Sequence, residues 1–167
     1  MAQLVYDAPL FSHNSKESPV ANKNVYDDSP FLSSLGIIVE DWTENDVRVA
    51  LPLETRHLNR SGVVNGGILA TMLDAAGALS GLYCPFDGHA RYAVTVSMTV
   101  NYIGQSRGTR LIATARRAGG GKKMYFAVIE LKDDLGAVLA SGTSVHRYRS
   151  GSESLEGVPR KKAIHAR

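Results

Sequence analysis

After Asn65 the apolar residues fall at steps of three and four, at Ile68, Leu69, Met72, Leu73, Ala76, Leu79 and Leu82. That spacing predicts one long helix with an apolar stripe to bury. Elsewhere the period is two. From Gly36 to Leu53 apolar and polar residues tend to alternate, most clearly in VRVALPL, and TEND between them reads as the turn of an antiparallel hairpin. Beyond the helix, four runs rich in β-branched and aromatic residues, 90–103, 108–118, 122–132 and 136–148, read as strands. The breaks GQSRG, AGGG and DDLG are short enough to make these strands consecutive antiparallel neighbours. A lone apolar helix needs a surface, and a curved antiparallel sheet can wrap it, so the predicted class is α+β with a central helix.

The ends of the chain break this pattern. Residues 1–28 mix polar residues and prolines with scattered apolar ones and read as a flexible lead-in. Ser29 and Pro30 then resemble a helix cap and first turn ahead of FLSSL and a stopping Gly36. The predicted domain runs over 29–148, and 149–167 reads as a basic, polar, solvated tail.

At 167 residues, 44% hydrophobic and 21% charged, the chain fits one ordinary globular domain. The net charge of +3 is a property of the tail: residues 1–146 carry 13 basic and 14 acidic side chains, and residues 147–167 carry 6 and 2. Nucleic acid is therefore not an expected partner. No apolar run approaches the ~18 residues that a membrane span requires, so no membrane association is expected. The start, MAQLVYDAPLF, lacks a basic stretch followed by an apolar one, and the single cysteine, Cys84, fits a reducing compartment. The expected location is the cytoplasm. The five histidines, His13, His57, His89, His146 and His165, show no metal-ligand spacing, so surface or packing roles are expected and no metal.

Candidate chemistry collects on the helix. Gly66, Ala70, Asp74, Gly77 or Ala78, and Gly81 form a stripe of small residues beside the bulky one, and Asp74 is the only charge between Gly62 and Pro85. Small neighbours let a backbone or a ligand come close, and an isolated carboxylate there suits a general base or a nucleophile. A carboxylate that caps a loop or pairs with a buried arginine is the structural alternative. Gly66 and Gly67 leave backbone amides at the positive end of the helix, which can polarise a carbonyl or can simply permit tight packing. Residues 103–129 add Arg107, Arg110, Arg116, Arg117, Lys122 and Lys123 without an acid, a cationic rim suited to phosphates or a set of solvated strand ends. Tyr92, Tyr102 and Tyr125 are expected to pack or to face a pocket, and Met72, Met98 and Cys84 to pack in the core.

The run HLNRSGVVNGGILATMLDAAGALSG resembles the signature of hotdog-fold acyl-CoA thioesterases of the phenylacetic acid degradation type: Asn, two residues, Gly, two residues, His-Gly-Gly, then Asp seven residues after the last glycine. Asn59, Gly62, Gly66, Gly67, Asp74 and Gly77 match, and TVSMTVNYIGQSRG, the GGGKK turn and ASGTSVHRYR extend the likeness over residues 35–148. The resemblance implies a sheet wrapped around the helix, a homodimer that pairs its sheets, and often a dimer of dimers. It implies hydrolysis of an acyl or aryl-acyl CoA to free acid and CoA, with no cofactor beyond the CoA of the substrate. Asp74 is implied as base or nucleophile, the Gly66 N–H as the group that polarises the carbonyl, and Asn59 and Thr95 as residues that orient water and substrate. Asn59 and Gly66 would come from one subunit, Asp74 and Thr95 from its partner. His57, Gly67, Arg116, Arg117, Lys122 and Lys123 are the expected substrate-binding residues.

One position departs from the signature. Asn65 stands where the family usually has histidine, and asparagine can donate a hydrogen bond or cap the helix but cannot hold a proton there. Asn65 is kept among the expected catalytic residues, and a non-catalytic acyl-CoA-binding hotdog protein is the alternative. Hydration or dehydration of a CoA-linked enoyl chain uses the same fold, but that class resembles a catalytic carboxylate paired with a nearby histidine. The sequence shows no such partner for Asp74.

Overall fold

The computed structural model describes residues 29–160; the lead-in expected over 1–28 and the last seven residues lie outside the described residues. The first helix, α1 (Pro30–Leu35), is capped by Ser29, whose hydroxyl accepts from the Leu32 N–H at 3.4 Å, and stops at Gly36 with φ 82°. Strands β1 (Ile38–Trp42) and β2 (Asp46–Pro52) form the expected hairpin. A short 3₁₀ turn over Thr55–His57 leads to α2 (Gly66–Leu79). Then come β3 (His89–Ala90), β4 (Ala93–Tyr102), β5 (Arg110–Gly120), β6 (Met124–Asp133), β7 (Val138–Tyr148) and β8 (Val158–Pro159).

Six strands make one antiparallel sheet in the order β1-β2-β5-β6-β7-β4, and α2 packs across it. Alternation decides which side chains meet the helix: Val47, Val49 and Leu51 of β2, Leu111, Ala113 and Ala115 of β5, and Tyr125, Ala127, Ile129 and Leu131 of β6 are all buried. Leu69, Met72, Leu73, Ala76 and Leu79 of α2 fill the same core. Each buried Val, Leu, Ile or Met side chain among them contributes roughly 1.5–3 kcal/mol, so the sheet and helix hold one another in place. The last carbonyls of the helix region are also taken: Trp42 Nε1 donates to Leu79 O at 2.9 Å, Tyr125 Oη to Ala78 O at 2.6 Å and Tyr148 Oη to Gly81 O at 2.9 Å.

Strand β4 carries a bulge at Val96. Thr95 lies opposite His146 while Ser97 lies opposite Val145, so one extra residue sits between them. The extra residue switches the parity of the strand. Ala93 and Thr95 before it share the helix-facing side with Met98 and Val100 after it.

The segment after β7 differs from the expected solvated tail. Up to Arg160 it folds back: β8 pairs with β3, and Arg160 N–H donates to Gly88 O at 2.8 Å. Buried Arg91 holds it by donating to the carbonyls of Ser152 at 3.0 Å, Glu153 at 3.4 Å and Tyr83 at 3.3 Å, with its guanidinium 4.6 Å from the Tyr148 ring centre. Buried Cys84 packs beneath the same strap, its Sγ 3.4 Å from Glu156 O.

Candidate active site

Helix α2 has two working faces. One packs on the sheet; the other, with Ala70, Thr71, Asp74, Ala75 and Ala78, lines a cleft of about 470 Å³ that Ser29, Phe31 and Leu32 of the α1 region and Met98 of β4 complete. Asp74 is half-buried and is the charged residue of that lining. Thr95 Oγ1 donates to Asp74 Oδ1 at 2.7 Å, so the sheet reaches the carboxylate from below while the cleft opens above it.

Behind Thr95 stands a histidine expected only to pack or to lie at the surface. His146 of β7 is fully buried, with Nδ1 3.4 Å from Thr95 Oγ1 and Nε2 2.7 Å from Ser144 Oγ. Its ring stacks on Tyr125 at 4.9 Å between centres and 19° between planes. Burial pushes the His146 imidazole below its usual range, against the opposing pull of the Asp74 charge. The expectation that Asp74 has no histidine nearby is therefore corrected: one lies behind its hydroxyl partner. A signal was present in GTSVHRY, where period two puts Gly142, Ser144, His146 and Tyr148 together on the buried face of β7.

The stripe of small residues acquires a definite use. A methyl group at Gly77 would lie 2.6 Å from Ser144 Oγ and 3.2 Å from His146 Nε2, and one at Gly81 would lie 2.5 Å from the Tyr125 ring. Those two glycines admit side chains of the sheet rather than a ligand. Ala70 and Ala78 face the cleft instead.

At the other end of α2, Asn65 is the N-cap: its Oδ1 accepts from the Gly67 N–H at 2.8 Å. Asn65 thus takes the capping role open to an asparagine there, its carboxamide oxygen engaged by the helix and the Gly67 amide already bonded. The Gly66 N–H has no partner among the described residues, as the first turn of a helix leaves it. Tyr102, at the far end of β4, donates from Oη to Gly66 O at 3.3 Å. Asn59 organises the preceding loop, with Oδ1 accepting from Ser61 N–H at 2.8 Å and Val63 N–H at 3.4 Å.

His57 is not a lining residue. It is fully buried; Nδ1 accepts from the Glu54 N–H at 2.9 Å, so Nε2 carries the hydrogen donated to Leu35 O, also at 2.9 Å, and both nitrogens serve to tie the loop to α1. Lys122 and Lys123 are exposed on the β5–β6 turn, at the Thr95 end of the sheet, because Thr95, His146, Tyr125 and Gly120 lie in one row across four strands. Arg116 and Arg117 lie further along β5, where Arg116 pairs across from Asp46 and partly offsets the burial that raises that carboxyl. Arg110, in the same basic stretch, forms an ion pair with Glu40.

Gly66 and Asp74 are eight residues apart on one straight helix, about 12 Å along its axis. Within one chain the free amide and the carboxylate do not meet at one carbonyl. They belong to opposite ends of β4, one beside Tyr102 and the other beside Thr95.

Residues 61–140, which span α2 to β6 and the first three residues of β7, match the thioesterase superfamily model. The fold is the hotdog fold seen in thioesterases. A Halobacterium salinarum protein named as an esterase is 37% identical over 92 residues, covering 53% of this chain and 60% of its own length. Mouse acyl-coenzyme A thioesterase 13 is 29% identical over 94 residues, covering 55% and 65%. The chain thus spans less than two thirds of the length of these two relatives. The hotdog domain also superposes on the PaaI protein of the phenylacetic acid degradation operon of E. coli, with a TM-score of 0.66 and 23% identity over 76% of this chain and 89% of that one. At that identity the likeness concerns the fold alone.

Proposed function

We propose that the protein hydrolyses the thioester of an acyl-CoA, with Asp74 as the general base. The observation that carries this reading is the Asp74 carboxylate, held from below by Thr95 and facing the cleft between α1 and α2. Water on the cleft side gives a proton to Asp74 as its oxygen bonds to the thioester carbon; the carbonyl oxygen gains the negative charge. When the C–S bond breaks, the carbonyl reforms and the proton on Asp74 goes to the departing CoA sulfur. An unpaired backbone N–H aimed at the oxyanion is worth about 3 kcal/mol in such chemistry.

The Gly66 amide is the candidate for that donor, delivered by a second copy of the chain. Strand β4 is an edge of the sheet, with Val96 and Tyr102 exposed at 55% and 59%. Antiparallel pairing of two β4 edges, centred between Thr95 and Tyr102, sets the Gly66 end of one helix against the Asp74 end of the other. The apolar walls formed by Phe31, Leu32 and Met98 suit the acyl group, and Lys122 and Lys123 on their turn suit the CoA phosphates.

A thiol reagent with a panel of acyl-CoAs tests the reading. Release of CoA is expected from the wild type, and Asp74→Asn is expected to lower it by about 10²-fold or more, in the range of a lost general base. Binding of acyl-CoA without release, or full activity in Asp74→Asn, would refute it, and the former result would point to a non-catalytic acyl-CoA binder.

A further inference from the structure

The hydrogen bonds behind Asp74 have only one consistent direction. An ionised carboxylate accepts and never donates, so the single proton of Thr95 goes to Asp74 Oδ1. Thr95 Oγ1 can then only accept from the imidazole, which places the hydrogen of His146 on Nδ1. A neutral imidazole with Nδ1–H accepts at Nε2, so the Ser144 hydroxyl donates there. Ser144, His146, Thr95 and Asp74 thus form a chain of donors that runs from the core to the carboxylate. At 3.4 Å the His146–Thr95 contact is its longest link.

Three features of the fold fix this chain. The bulge at Val96 turns Thr95 to the helix side, the Tyr125 ring lies flat on the imidazole and is itself anchored on Ala78 O, and Gly77 leaves the gap that Ser144 and His146 occupy. Any change in the ring of His146 therefore reaches the Thr95 hydroxyl.

We propose that His146 is the positioning residue of this site: its Nδ1–H, held by Ser144 from behind, commits the Thr95 hydroxyl to Asp74 and leaves the remaining carboxylate lone pairs to water in the cleft. The inference rests on Asp74 being the base and assigns no contact between His146 and substrate. It separates the two ring nitrogens by role. Asparagine at position 146 carries an amide nitrogen at the level of Nδ1, whereas glutamine reaches only the level of Nε2.

Purified full-length wild type, His146→Asn and His146→Gln are compared by acyl-CoA hydrolysis, with thermal unfolding to establish that each is folded. His146→Gln is expected to lose about tenfold in kcat with KM within about twofold, as a misplaced positioning group does. His146→Asn is expected to stay within about threefold of wild type. Equal losses in both variants, or an unchanged kcat in His146→Gln, overturn the proposal. Nitrogen NMR shifts of His146 in the wild-type protein give a readout independent of turnover: a neutral ring protonated at Nδ1 supports the chain, and one protonated at Nε2 overturns it. Absence of Asp74-dependent hydrolysis in wild type, beside an Nδ1–H ring, would sink the assignment of the base while leaving the hydrogen-bond chain standing.

Discussion

Gly77→Ala discriminates between an ordinary helix glycine and one that makes room for the polar chain beneath Asp74. In an exposed helix interior the change to alanine stabilises by about 0.5–1 kcal/mol. Here the new methyl would stand 2.6 Å from Ser144 Oγ, 3.1 Å from Ile129 Cδ1 and 3.2 Å from His146 Nε2. All three neighbours are closer than ordinary contact, and all belong to buried residues that have nowhere to go. Overpacking of this kind costs about 1–3 kcal/mol, which outweighs the helix gain and leaves a net loss of roughly 1–2 kcal/mol. For a domain of this size that is a fall of about 3–6 °C in the unfolding midpoint. Calorimetry or circular dichroism on Gly77→Ala, Ser144→Ala and the double variant measures it. Because the closest clash is with the Ser144 hydroxyl, Gly77→Ala should cost about 1 kcal/mol less in the Ser144→Ala background than in wild type. A rise in midpoint for Gly77→Ala alone, or strict additivity of the pair, would refute the packing argument.

Other consequences follow from the same geometry. Asn65→Ala should destabilise the protein by about 1 kcal/mol in urea unfolding by removing the cap on the Gly67 N–H, whereas Asn65→Asp, which keeps an acceptor, should not. Asn65→His should leave hydrolysis intact or raised, and its collapse in the thiol assay would show a specialised role for the asparagine. Mixing Asp74→Asn chains with Asn59→Ala chains should restore hydrolysis, because one site of each mixed dimer would receive both intact residues; no recovery after subunit exchange would argue against a site shared between chains. Acid should weaken the fold through His146. Its neutral form is favoured by burial over the pull of Asp74, with the Tyr125 ring against it, so the unfolded chain takes up the extra proton. That share of stability is complete above the unfolded value of 6.5 and is lost as pH falls towards the lower folded value. The drop in urea midpoint between about pH 7.5 and 5.5 should therefore shrink in His146→Gln. Asp133 and Asp134, whose carboxyls are held low by hydrogen bonds that outweigh desolvation in both, lose their contribution only as pH falls below about 3.8.

The sequence made the long elements legible because each has its own period: steps of three and four for α2, steps of two for the hairpin and for β5 to β7. Asp74 stood out as a lone charge in an apolar helix, and the Ser29–Pro30 pair marked α1 correctly. What escaped depended on tertiary contacts. Thr95 entered only by family resemblance, since strict alternation with Met98 and Val100 puts it on the wrong face, and the bulge that reverses its parity leaves no mark in composition. His146 looked like any strand histidine until the sheet brought β7 beside β4. The two glycines of the stripe at 77 and 81 suggested space for a ligand because sequence gives the absence of a side chain without saying what fills the gap. The strap after Tyr148 read as solvated because its anchors are backbone carbonyls, which no residue pattern displays.

The strap sets where this domain can be cut. A boundary drawn at the last long strand, after Tyr148, would strip Arg91 of two of its three carbonyl acceptors and uncover Cys84. A guanidinium cannot shed its charge to fit a dry pocket, so the shortened protein would have to open around it or let in water. Expression boundaries, fusion partners and affinity tags accordingly belong beyond Arg160, where the β8 ribbon has already closed.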